Sequence, residues 1–162
     1  MIKLIAKQED FDKYLKGMVK IFVDFYKEDP WNLSRKEEKI EEYFRHVKLY
    51  PFHRFIVELS EEDEVIGFLM AYRANFLCKI PAELNPTISL FVDFTSTSNE
   101  LWDFFIETIK RAPFRNLLCL TLCGTEIYKF LEKENFRKIG EVTYSPDKRQ
   151  YQWPIMEKVM NF

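Results

Sequence analysis

The sequence predicts an α/β (α+β) fold: one domain over residues 1–162, with a mixed, partly antiparallel sheet of six to seven strands and helices on both faces. Three observations predict it. Apolar residues alternate between helical and strand spacing in the order β-α-α-β-β-β-α-β-α-β-β. The run 116–122 is almost continuously apolar, as in a strand covered on both faces. The chain has 162 residues, 47% of them hydrophobic, with no repeat, low-complexity segment or linker, which suits a single core.

Residues 1–6 read as a short strand through Ile2, Leu4 and Ile5. Asp10 is a suitable N-cap for the next segment. Phe11, Tyr14, Leu15, Met18, Phe22, Phe25 and Tyr26 then fall at helical spacing, up to Asp29-Pro30. Ser34 and Glu37 have the form of a capping box, and Ile40, Tyr43, Phe44 and Val47 mark one face of a helix that stops before Pro51. Residues 53–59 and 64–77 read as two strands joined by the acidic turn 60–63, hence a hairpin. Residues 79–86 hold two prolines and read as a loop before a strand over 87–94.

The hydroxyl-rich stretch 95–99 runs into a helix whose inner face is Leu101, Phe104, Phe105, Thr108 and Ile109, stopped by Pro113. After the strand at 116–122, Gly124-Thr125-Glu126 opens a helix with Ile127, Phe130 and Leu131 inward. Asn135 follows its end, and asparagine tolerates the left-handed C′ conformation second only to glycine. Strands over 137–144 and 151–160 close the chain, divided by Ser145-Pro146-Asp147.

Composition excludes several functions. There are 4 glycines, against about 11 at an average usage of about 7%. Gly17, Gly67, Gly124 and Gly140 stand far apart, so no G-x-G-x-x-G or P-loop can be written. The formal net charge is −2, with basic and acidic residues interleaved, which argues against a nucleic-acid partner. No apolar run reaches the roughly 18–20 residues of a membrane span, and the first ten residues are too weakly apolar for a signal peptide, so the expectation is a cytoplasmic protein. Cys78, Cys119 and Cys123 form no C-x-x-C. Four residues of strand put Cys119 and Cys123 about 13 Å apart, too far to bridge, and they read as buried small hydrophobes. His46 and His53 carry no local signature of a catalytic partner or a metal site.

The order of elements resembles that of the GNAT N-acetyltransferase superfamily. Ile2 to Asp10 with Leu15 resembles the family's opening strand and first helix. Glu64-Val65-Ile66-Gly67-Phe68-Leu69 resembles its third strand. Residues 130–141, FLEKENFRKIGE, are similar to the family's F-Y-E-K-L-G-F-x-x-x-G-E at the end of the fourth helix. The resemblance spans the chain in element order and these three stretches in residues. Two positions depart from it. The family's basic, glycine-rich loop after the fourth strand corresponds to residues 95–100, which hold neither glycine nor a base. The family's tyrosine, often the acid toward the departing thiolate, falls on Leu131. The glycine of K-L-G-F falls on Asn135, a physically conservative exchange.

The resemblance implies acetyl-CoA as co-substrate and a small-molecule or peptide amine as acceptor. It places Val92 and Asp93 where family backbones hydrogen-bond the acetyl carbonyl and pantetheine. It places Thr95, Ser96, Thr97, Ser98 and Asn99 at the pyrophosphate. Thr97 to Glu100 also has capping-box form, so these hydroxyls read equally as a helix cap alone. Tyr128, nearly one helical turn before Leu131, is the candidate acid, with packing as its other reading. Glu126 is the candidate proton acceptor, and also reads as a first-turn acid favoured by the helix dipole. Arg73 and Glu58 are either cleft residues or exposed strand residues, and His53 reads as a strand-end histidine. The aromatic stretches 25–31 and 44–55 are either an acceptor pocket or core. A non-catalytic GNAT-like domain, binding a ligand or a protein, is the alternative function. A homodimer stays open.

Overall fold

Residues 1–28, 31–76, 88–144 and 151–161 are described by a computed structural model, and they form the predicted alternation of elements. In chain order these are β1 (Ile2–Leu4), α1 (Gln8–Lys27), α2 (Glu37–Lys48), β2 (His53–Leu59), β3 (Val65–Arg73), β4 (Ser89–Phe94), α3 (Asn99–Ile109), β5 (Asn116–Leu120), α4 (Glu126–Lys133), β6 (Arg137–Tyr144) and β7 (Tyr151–Val159). Cys78, the loop at 79–86, Thr87, Asp29-Pro30 and the turn at 145–147 lie outside the described residues.

The sheet order is β1-β2-β3-β4-β5-β7-β6. Its β4–β5 pair is parallel and its other pairs are antiparallel. Strand periodicity sends alternate residues to opposite layers. Phe55, Val57, Phe68, Met70, Tyr72 and Phe91 meet the apolar stripe of α1 and the inner face of α2. Ile56, Leu69, Ala71, Leu90, Val92 and Leu117 meet α3 and α4. In α1 that stripe is Phe11, Tyr14, Leu15, Met18, Val19, Phe22 and Tyr26, all buried, while Phe25 is half-buried. β5 is buried on both faces at Leu117, Leu118 and Cys119.

The end of α4 is a Schellman motif. Asn135 has φ 65° and donates to the Glu132 carbonyl at 3.0 Å, and Phe136 donates to the Leu131 carbonyl at 2.9 Å. Leu131 and Phe136 share one core cluster, which supplies the motif's apolar contact.

Three predicted caps are corrected. Asp10 does not cap α1: the helix starts at Gln8 with Lys7 in the cap position, and Asp10 sits in the first turn, bound to Lys3 at 2.8 Å. The Lys3 ammonium and the helix dipole both hold the carboxylate there. Ser34 and Glu37 form no capping box, because α2 starts only at Glu37. Buried Trp31 and Leu33, with a Leu33 amide bond to the Tyr26 carbonyl at 2.7 Å, tie the preceding chain inward and delay the helix. Ser98, not Thr97, caps α3. Ser96 Oγ accepts from the Ser98 amide at 3.2 Å, and Ser98 Oγ accepts from Leu101 at 3.3 Å, so the local turn moves the cap by one residue. Two further readings shift. β3 ends at Arg73 in a short 3-10 turn, Ala74–Phe76. Cys119 is buried as expected, but Cys123 is exposed, because β5 ends at Leu120 and the chain turns outward.

Candidate active site

The only parallel strand pair among the described residues opens partway along. β4 and β5 pair at Ser89–Asn116, Leu90–Leu117 and Phe91–Leu118, and the pairing stops there. β4 continues to Phe94 on β3, and β5 continues to Leu120 on β7. The strands therefore splay, and the edge of Val92–Phe94 that faces β5 has no strand partner among the described residues. A sheet normally satisfies such backbone groups, so this edge is suited to a ligand that supplies its own donors and acceptors.

Beyond the splay lies a cleft of about 510 Å³. Thr95, Ser96 and Thr97, leading into α3, form one wall. Residues 124–127, opening α4, form the other, and Phe25 and Trp31 close the side toward α1. Two helix N-termini thus meet one cleft. First-turn amides lack intrahelical acceptors and carry partial positive charge, which favours an anion. Gly124 has φ +80° with open space where a Cβ would stand, so backbone approaches the cleft unshielded.

Not every hydroxyl of the 95–99 loop is available. Thr95 Oγ1 accepts from the Phe68 amide at 3.2 Å, and the Thr95 amide donates to the Phe68 carbonyl at 3.0 Å. Ser96 Oγ accepts from Ser98 and donates to Glu58 Oε2 at 3.4 Å. These bonds fix the loop against β2 and β3. Gly67 makes the fit possible: a Cβ there would lie 2.9 Å from Ser96 Cβ.

Of the sequence candidates, Thr95, Ser96, Thr97 and Glu126 line this one cleft, and Ser98 and Asn99 adjoin it. Glu126 is exposed and paired with Lys129 at 3.1 Å. Tyr128 does not line the cleft. Partial burial, then the neighbouring Cys123 thiol, raise its phenol above the usual range. Leu131 is fully buried. Val92 is buried toward α3 and α4. Glu58 reaches the cleft loop, whereas Arg73 lies at the opposite end of β3. His53 is tied to the Tyr50 carbonyl at 3.0 Å, and burial lowers its pKa. From the aromatic stretches, Phe25 and Trp31 line the cleft, while Phe44 and Phe55 are core.

One arrangement was not legible in the sequence. The Asp93 side chain points to the α1 side, where Oδ1 accepts from the Tyr26 hydroxyl at 2.8 Å. Burial pushes its carboxyl up to about 6, although the Tyr26 hydrogen bond, the Arg35 charge and the Phe94 amide pull the other way. Burial likewise raises the Tyr26 phenol well above its ordinary value. The partners are 67 residues apart, so no local pattern marks them.

The splayed parallel pair with a helix N-terminus at its mouth decides the architecture. The chain has the GNAT fold. Among solved structures, the chain is similar to a phosphinothricin acetyltransferase of the GNAT superfamily from Sinorhizobium meliloti, in complex with AcCoA. That likeness has a TM-score of 0.68 and 12% identity, covering 98% of this chain and 88% of the other. A ribosomal-protein-alanine N-acetyltransferase from Brucella melitensis gives 0.67 at 14% identity, over 99% of both chains. An N-acetyltransferase from Staphylococcus aureus gives 0.66 at 17% identity, over 99% of this chain and 97% of that one. No family model and no curated protein matches the sequence. The GNAT fold here thus keeps its strands and helices with little residue identity. No helix among the described residues is long and apolar enough to cross a membrane.

Proposed function

We propose that this GNAT-fold chain is an N-acetyltransferase that takes the acetyl group of acetyl-CoA to an amine. The observation that carries the reading is the β4–β5 splay opening onto two helix N-termini. Acetyl-CoA would supply the acetyl group as a thioester. In this reading the free edge of Val92 and Asp93 aligns the pantetheine arm and the thioester oxygen. The first-turn amides of α3, from Asn99 on, and the amides of 124–126 would meet the pyrophosphate, the Ser98 amide being held by Ser96 Oγ. Thr97 adds a hydroxyl at the same place, and Thr95 and Ser96 hold the loop.

The amine proton goes to Asp93. A carboxyl near 6 is a competent base at neutral pH, and the Tyr26 hydroxyl fixes its orientation. Glu126 is the carboxylate that lines the cleft itself. The departing thiolate takes its proton from water, since Leu131 has none to give and Tyr128 does not line the cleft. Activity should therefore rise as pH passes about 6, when the Asp93 carboxyl ionises.

A thermal-shift series with CoA, acetyl-CoA and desulfo-CoA tests the reading. Ligand at 100 times its Kd stabilises by about 2.7 kcal/mol. With no lysine or arginine in the loop, Kd should fall in the high micromolar range, about 5 kcal/mol of binding. Ser98→Asp keeps a side-chain oxygen for the cap while adding a charge at the pyrophosphate, and should abolish binding. No stabilisation at millimolar ligand, or full binding by Ser98→Asp, overturns the assignment of this cleft. A second reading, a GNAT-like domain without catalysis, is favoured by buried Leu131 and by Glu58 beneath Ser96. It predicts CoA-dependent stabilisation or none, with no transfer to any amine in a broad panel.

A further inference from the structure

A second site lies at the other end of the sheet. Arg54 is near the start of β2, and Arg73 ends β3, paired with Leu90 at the beginning of β4. The cleft described above lies beyond the far end of β4. Arg54 pairs with Ala71, so Arg73 stands one diagonal step away on the same face, about 7–8 Å off. The Arg54 guanidinium lies 4.3 Å from the Phe52 ring centre, and that of Arg73 lies 5.7 Å from Phe114. Phe52 and Phe114 pack edge to face at 4.6 Å. Two guanidinium groups thus bracket one aromatic pair.

Among the described residues neither is paired with a carboxylate. Both side chains are half-buried, and both Nε atoms are buried with no hydrogen-bond partner. Arg54 gives one Nη1 bond to its neighbour's carbonyl, His53, at 2.9 Å. Two other arginines are ion-paired: Arg45 with Glu41 at 2.9 Å, and Arg137 with Glu157 at 3.5 Å. Arg111 and Arg115 flank Phe114 in sequence, both exposed, and among the described residues no ion pair engages them either. This concentration of unpaired cations occurs in a chain whose net charge is −2. Burial already pushes the Arg54 guanidinium down from its usual value. Two like charges on one face repel, and a guanidinium withdrawn from water without an anion is costly. The phenyl faces hold both groups in place and offset part of that cost, but they do not neutralise it.

We propose that Arg54 and Arg73, with Arg115 at the rim, bind a phosphate dianion, free or as a phosphate monoester. Guanidinium donors match its oxygens in number and geometry, and its charge of about −2 at neutral pH balances the pair. Stacking on Phe52 and Phe114 preorganises the donors, so little side-chain freedom remains to be lost on binding. The site is separate from the cleft and does not depend on acetyl transfer.

Two-dimensional ¹⁵N NMR of the full chain tests this, with inorganic phosphate and phenyl phosphate titrated at constant ionic strength against chloride. Saturable shifts should centre on Arg54, Arg73 and Phe114, with Kd near 1 mM, about 4.1 kcal/mol on the affinity scale. Stronger binding of phenyl phosphate identifies a monoester as the ligand, and equal binding identifies the free ion. Arg54→Gln with Arg73→Gln should weaken phosphate at least about tenfold. That variant removes uncompensated charge and should melt no lower in chloride. Ser98→Asp, altered only at the cleft, should keep phosphate binding. Absence of saturation, shifts centred on residues 95–99, or unchanged binding in the double variant overturns the proposal. If the double variant fails to fold, the wild-type shift map alone decides.

Discussion

Gly67 offers a direct measure of how tightly the cleft loop is seated. It lies in β3 opposite Glu58, and its Cβ in Gly67→Ala would sit 2.9 Å from Ser96 Cβ and 3.3 Å from Glu58 Oε2. Carbon atoms in contact prefer about 3.5–4.0 Å, so the loop must retreat by more than half an ångström. Ser96 is not free to do so, being bound through its hydroxyl to Ser98 and Glu58. Overpacking of this kind costs about 1–3 kcal/mol, while replacing a strand glycine by alanine returns about 0.5–1 kcal/mol. The net is a loss on the order of 1 kcal/mol, or about 2–4 °C in Tm for a chain of this size. CoA affinity should fall too, since the retreat moves the start of α3. Denaturant melts and calorimetry with CoA measure both, and Ser96→Gly added to Gly67→Ala should relieve the clash and recover part of the stability. A Gly67→Ala protein more stable than wild type, with unchanged CoA affinity, would refute this account of the loop.

Asn135→Gly should be neutral or stabilising by less than about 1 kcal/mol, because φ 65° carries a penalty for any side chain but not for glycine; a clear loss in denaturant melts would contradict the helix end. Burial raises the Asp93 carboxyl to about 6, above its unfolded value, so the folded state holds the extra proton and stability falls as pH rises from about 4 to about 6. Asp93→Asn should flatten that fall, by an amount on the order of 3 kcal/mol, and equal pH profiles of Tm for the two proteins would rule the effect out. Burial holds the Cys119 thiol well above its usual pKa, whereas Cys123 is exposed. Cys123→Ser should remove one fast phase of thiol labelling under native conditions, and Cys119→Ser should alter only the labelling that follows unfolding.

Periodicity and punctuation alone determined most of the fold. The apolar stripe of α1, the strand limits of β2 and β6, the doubly buried β5 and the left-handed Asn135 are local patterns whose consequences are local. The caps at Asp10, Ser34 and Thr97 were misread for a related reason. A cap competes with whatever else binds the same group, and here Lys3, the anchored Trp31–Leu33 segment and Ser96 won. The 95–99 loop was identified in the sequence, but not that most of its hydroxyls are committed to Phe68, Glu58 and the cap. Only the tertiary structure decided what chemistry is brought together. The halt of β4–β5 pairing after Phe91, the Tyr26–Asp93 bond and the Arg54–Arg73 pair all join residues from different elements. Their charge states follow from burial, which is a property of the packed whole. A side chain's alternation along a strand is written in neighbouring residues; what it faces across the sheet is written in segments many residues away, and folding alone sets them side by side.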